Sequence, residues 1–186
     1  NACLLTFDDG YIDHFENVFP ILIKKNIQGV FFPSAKAVME ESVLDVNKIQ
    51  FILASKKKNI DEILLKIEEL LNDFRYEYGL RSNDYYFTKL AKPGRFDTKE
   101  VIYIKRLLQR ELAEGLRAKI IDNLFKTYVT KDLKDFSNEL YMSLDQLKIM
   151  FESGMFIGSH GYEHYWLDTI SPEKQELEID RSLEFL

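Results

Sequence analysis

Two short stretches hold the residue types that could do chemistry. "TFDDG" at residues 6–10 sets Asp8 beside Asp9 directly after an apolar run. "GSHGYEH" at 158–164 places His160 and His164 four residues apart. The chain has three histidines, so two of them share one five-residue window. Neighbouring side chains of an extended segment point to opposite sides, so Asp8 and Asp9 face different ways. If the chain turns helically at 160–164, both imidazoles lie on one face and suit a single metal ion. Two histidines and one carboxylate leave coordination positions open, as a catalytic rather than a structural metal site requires. These donors admit zinc, and equally the His-His-carboxylate iron sites of oxygenases. Taken alone, an Asp-Asp pair is also explained by a turn or a helix N-cap, and a His-x-x-x-His by a helix face. The metal reading rests on the two stretches occurring together. His14, early in a helical segment and without a matching partner, is expected to be structural or exposed.

The elements that must position these residues can be read from apolar spacing. "ACLLTF" predicts a buried strand with polar residues at its C-terminal tip. Helical spacing runs from Tyr11 to Lys25, with Pro20 expected to kink or reset it. "GVFFPSA" predicts a second buried strand from Gly29 to Ser34. Strand, helix, strand within about thirty residues is a βαβ unit and implies a parallel sheet. The rhythm returns at Tyr141. Ser143 and Gln146 have capping-box spacing for a helix ending at Gly154, and "MFIGSH" predicts a third strand. Ser171 followed by Pro172 opens a last helix carrying Leu177, Ile179, Leu183 and Leu186. Both candidate stretches therefore follow strands, and the C-terminal ends of strands are where parallel α/β folds build their sites.

The middle of the chain differs. Ile60, Ile63, Leu64, Ile67, Leu70, Leu71 and Phe74 follow the helical template, and Asn59 with Glu62 has capping-box spacing. "RSNDYYF" and "AKPGRFD" read as loops, and "SKKKN" at 55–59 as a solvated loop. Asp97 with Glu100 marks a helix start with Val101, Ile104 and Leu108 on one face, and "GLRAKIIDNLFKTYV" is a further helix. These stripes predict helix–helix packing.

Composition sets limits. The 25 basic and 31 acidic residues give a net charge of −6, which argues against nucleic-acid and polybasic membrane contacts. No apolar run is long enough to span a bilayer. The single cysteine, Cys3, excludes an internal disulfide and favours a cytoplasmic setting, with the periplasm or cell envelope as the alternative. The chain starts at Asn1 and stops within a helical pattern, so both ends are expected to be cut.

The paired motifs resemble those of the polysaccharide deacetylase family, the NodB-homology or carbohydrate esterase family 4 domain. "TFDDG" resembles its first motif and "GSHGYEH" its second, usually His-Ser/Thr-x-x-His. "VFPILIKKNIQGVFFPSA" and "SLDQLKIMFESGMFIGSHGYEH" are similar to the segments around them, and "LDVNKIQFILA" is similar to members associated with bacterial surface-glycan synthesis. The resemblance implies an α/β fold: a partial, distorted (β/α) barrel with a large, mostly α-helical insertion. It implies barrel segments at 1–38 and 141–186, with the insertion at 39–140. It makes Asp8 the general base and Asp9, His160 and His164 the ligands of a divalent metal, most readily Zn2+. The implied activity is hydrolysis of the N-acetyl group of an amino sugar in a bacterial glycan or glycan precursor. Removal of another acyl group, such as formyl, from a lipid-linked sugar is the alternative enzyme. A catalytically silent glycan-binding or assembly domain is the alternative from another class. Two departures stand out: Gly161 takes the place of the usual Ser or Thr, and Tyr11 that of a common proline. The later motifs, with the Leu-x-His general acid, are expected beyond Leu186.

Overall fold

A computed structural model describes residues 2–56 and 59–186; Asn1 and residues 57–58 of the lysine run lie outside the described residues. The chain divides into two compact units, one formed by residues 1–44 and 132–186, the other by residues 45–131.

The first unit is built on a parallel sheet in the order β1-β2-β3, with β1 at Thr6–Asp9, β2 at Val30–Pro33 and β3 at Phe156–Ile157. The predicted βαβ unit is present. Between β1 and β2 a π-helical turn at His14–Val18 leads into α1 (Phe19–Lys25). Pro20 accounts for the irregularity. It has no N–H to return to Glu16, and the Phe19 N–H reaches back five residues to the His14 carbonyl. After β2 comes α2 (Ala35–Met39). The chain re-enters this unit with α8 (Leu133–Leu140), α9 (Leu144–Glu152) and, after β3, α10 (Pro172–Glu184). Ser143 and Gln146 close the predicted capping box, and Gly154 follows the C-cap of α9.

The core of this unit gathers Leu22, Phe31, Met142, Leu147, Met150 and Met155 against the sheet, with Phe7, Phe15 and Ile157 packed on it. Two expectations are corrected. β1 starts later than "ACLLTF" suggests and contains both aspartates. It is a sheet edge, so Thr6 and Asp8 are exposed while Phe7 and Asp9 turn inward. In α10, Leu177, Ile179 and Leu183 are about half exposed, whereas Glu178 and Ser182 are buried. The helix is oriented by its glutamate and not by its leucines, for a reason that lies in the loop beneath it.

The second unit is all helical among the described residues: α3 (Asp45–Ser55), α4 (Ile60–Tyr78), α5 (Asn83–Leu90), α6 (Lys99–Arg106) and α7 (Glu114–Tyr128). Ile63, Ile67, Leu70 and Leu71 of the predicted stripe are buried with Ile104, Leu116, Ile120 and Leu124. The caps differ from the spacing. Asn59 precedes α4, but its side-chain amide donates to the Glu62 carboxylate and caps no backbone N–H. Thr98, not Asp97, accepts the Val101 N–H at the start of α6. "RSNDYYF" is not a loop. Ser82 caps it by accepting the Tyr85 N–H, and Tyr86 and Leu90 bury one face of α5. No helix among the described residues is long and apolar enough to cross a membrane.

Candidate metal centre

The sheet register brings the two motifs to one level. Asp9 is paired with Pro33 on one side of β2. On the other side the ladder continues past β3: Gly158 N–H donates to the Phe31 carbonyl and His160 N–H to that of Pro33, at 2.9 and 3.0 Å. Asp9 and His160 thus flank the same residue of the central strand, at the C-terminal end of the sheet. A tight turn ends β1. Asp9 and Gly10 both have left-handed backbones, with φ of 69° and 73°. A Cβ at Gly10 would stand 2.7 Å from the Pro33 Cβ, so only glycine fits there. The Gly10 carbonyl accepts the Met142 N–H, which ties the turn to the start of α9.

His164 arrives by a different route from the one expected. Residues 160–164 do not form a helical turn. The loop bends through two left-handed residues, Gly161 with φ of 82° and His164 with φ of 62°. The imidazoles of His160 and His164 meet edge to face, 4.7 Å between centroids. His160 Nε2 lies 3.6 Å and His164 Nε2 3.4 Å from Asp9 Oδ1. One donor atom from each of the three residues falls within 4.8 Å of the others. All three side chains are about one-quarter to one-third exposed, open enough for a substrate. Of the four non-glycine residues with left-handed backbone among the described residues, two, Asp9 and His164, belong to this cluster, the kind of local strain that gathers at functional sites.

The charges reinforce one another. The His164 imidazole hydrogen-bonds the Asp9 carboxylate and holds its pKa below the usual range against the opposing pull of burial, with smaller help from His160 and the Tyr11 hydroxyl. The same contact raises the pKa of His164. Asp8 is exposed and is not one of the three clustered residues. His14 is structural, as expected. It packs among the rings of Phe7, Tyr11 and Phe31, and burial lowers its pKa.

Sequence reasoning missed what holds the loop. Ser159 Oγ accepts the Gly161 N–H, so a hydroxyl is present, one residue before His160 instead of one after. Ala35 and Lys36, in the first turn of α2, donate their N–H groups to the carbonyls of Gly161 and Tyr162. These are groups a helix cannot satisfy internally. Glu178 accepts the N–H groups of Tyr162 and Glu163 at 3.0–3.2 Å. Burial raises its pKa and the two N–H donors oppose that rise. Lys36 pairs with Glu163 at 2.7 Å across the loop. Nothing in the sequence singles out Glu178, which is one of several charged residues of this helix, with Glu176 and Asp180 two residues to either side. The Tyr11 departure also has a role: its ring stacks on Tyr141 while its hydroxyl supports Asp9.

The polysaccharide deacetylase family model matches residues 120–186. This is the family that the two motifs resemble. The deacetylase match covers about a third of the chain and contains α8, α9, β3, α10 and both histidines of the cluster. It supports carbohydrate deacetylation, a hydrolysis of acetyl amides, as the general activity. No curated protein and no solved structure matches the chain.

Proposed function

We propose that the chain is a metal-dependent N-deacetylase acting on an acetylated amino sugar of a bacterial glycan or its precursor. The observation that carries the reading is the convergence of Asp9, His160 and His164 at the ends of β1 and β3. The cluster passes a test of fit. Ligands about 2.0–2.2 Å from one tetrahedral ion stand roughly 3.3–3.6 Å apart. The two imidazole–carboxylate separations, 3.4 and 3.6 Å, fall within that span. Asp9, His160 and His164 would hold the ion, with Zn2+ the natural choice for two nitrogens and one oxygen. A bound divalent ion supplies Lewis-acid polarisation of the amide and makes water acidic near neutral pH.

The protein's own residues do the rest. Asp9, with its depressed pKa, stays anionic at neutral pH and is fixed by the rung it shares with Pro33. Asp8 is assigned the general-base role: it accepts the proton of the attacking water from the exposed side of the strand tip. The parallel three-stranded sheet, with the compact unit of residues 1–44 and 132–186 around it, supports a partial (β/α) barrel. The helical unit at 45–131 supports the reading of the middle of the chain as an insertion.

The test pairs metal content with acetate release. The purified chain should take up one equivalent of Zn2+, and release of acetate from N-acetylchitooligosaccharides should fall on chelation and return with Zn2+. A chain that binds zinc but releases only formate from formylated sugars would move the assignment to a deformylase. Tested in the full-length protein, zinc uptake without turnover of either substrate would favour the silent glycan-binding domain. Failure to bind a divalent metal would overturn the reading.

A further inference from the structure

We propose that Glu178 is a positioning residue that shapes the 160–164 loop so that both histidines reach one metal ion. The inference rests on the metal reading above, but its geometry stands independently of it. Residues 158–166 have no helix or strand assigned, and the loop must pass through left-handed backbone at Gly161 and at His164. A non-glycine residue holds such a conformation only when its surroundings over-determine it. Glu178 supplies that determination from one side. Its carboxylate lies 7% exposed beneath the loop, Oε2 accepting the Tyr162 N–H and both oxygens sharing the Glu163 N–H. From the other side, the first N–H groups of α2 hold the carbonyls of Gly161 and Tyr162. The loop is thus gripped by its donors from α10 and by its acceptors from α2, directly between the two histidines.

Side chains repeat the pattern: Arg181, one helical turn after Glu178, covers the Tyr162 ring, and the Tyr162 hydroxyl donates to Glu40 just past α2. The glycine at 161 is part of the same fit. Glu178 Oε2 would sit 3.6 Å from a Cβ there, so the carboxylate closely underlies the turn. Glu178 also explains the orientation of α10. Turning Leu177, Ile179 and Leu183 inward would withdraw the carboxylate from the two loop N–H groups it accepts. Partners that orient metal ligands without touching the metal commonly set affinity by 10–100-fold.

The test uses the full chain with Glu178→Ala, Glu178→Gln and the exposed control Glu176→Ala. Two readouts are taken. First, amide exchange of Tyr162 and Glu163 in the metal-free protein should speed up at least about 10-fold in Glu178→Ala and less in Glu178→Gln, which keeps one acceptor oxygen. Exchange at the core amide of Leu147 should not change. Second, Zn2+ affinity by chelator competition should fall about 10–100-fold in Glu178→Ala, with partial rescue in Glu178→Gln and none lost in Glu176→Ala. The Co2+ ligand-field spectrum of Glu178→Ala should change shape as one histidine loosens. Unchanged exchange and unchanged Zn2+ affinity in Glu178→Ala would overturn the proposal; if that variant does not fold, wild-type values in Glu178→Gln overturn it. Faster exchange in Glu178→Ala, with a wild-type chain that takes up no metal, would leave Glu178 as the loop's anchor and overturn the metal reading instead.

Discussion

Gly10→Ala tests the link between fold and site most directly, because one atom is added where the two motifs are brought to one level. Two costs can be worked out. A residue with a Cβ at φ of 73° is disfavoured by about 1–2 kcal/mol relative to glycine. The new Cβ would also stand 2.7 Å from the Pro33 Cβ and 3.0 Å from its Cα, so backbone must shift, at an overpacking cost of about 1–3 kcal/mol. The sum is about 2–5 kcal/mol, a large share of the roughly 5–15 kcal/mol that holds a domain together. Because Pro33 pairs with Asp9 and accepts the His160 N–H, the displacement should also part the ligands and weaken Zn2+ binding. Trp166 is the only tryptophan of the chain and follows the histidine loop, so its fluorescence in urea reports this unit. Gly154→Ala is the control. It has left-handed backbone but nothing within 4 Å of an added Cβ, so it carries the backbone cost of about 1–2 kcal/mol alone and leaves Zn2+ affinity intact. Equal losses in the two variants, with Zn2+ affinity unchanged in both, would refute the claim that contact with Pro33 sets the level of Asp9.

Three further outcomes are expected. Asp9→Asn should abolish stoichiometric Zn2+ uptake, measured by mass spectrometry of the metal; full occupancy would remove Asp9 as a ligand. Asp8→Asn should retain Zn2+, shift stability by no more than about 0.5 kcal/mol because the side chain is exposed, and lose acetate release by a factor of about 10²–10⁴. His14→Phe should flatten the acid side of the metal-free stability profile. Burial depresses the folded-state pKa of His14, so the unfolded chain binds the proton first. Stability is therefore present above pH about 6.5 and lost as pH falls through the folded value. A profile in His14→Phe that falls as steeply as wild type below pH about 6.5 would show that His14 is not the group responsible.

How much of this was legible depended on the range of the interaction that decides each feature. The α4 stripe and the capping box at Ser143 were legible because neighbours three and four residues apart decide them. The βαβ unit was legible for a similar reason, and with it the placement of both motifs at strand ends. "RSNDYYF" was misread because one N-cap, Ser82, outweighs a run of polar and aromatic residues with weak helical preference. The histidine spacing pointed to a pair that does meet in the fold, but by another route. Four residues suit a helix, but here the convergence comes from two left-handed turns, and nothing in the spacing of "HGYEH" announces those. They are imposed by groups far away in sequence: the end of β2, the first turn of α2 and Glu178, sixteen residues after Tyr162. Periodicity assigns Leu177, Ile179 and Leu183 to the interior. The fold overrides it because half-exposing two leucines and an isoleucine costs little beside leaving two buried loop N–H groups without an acceptor. A candidate metal site read from its donor residues alone is therefore half described. The donors can be named from residue type, but the backbone that aims them is fixed by buried polar contacts whose partners only the fold reveals.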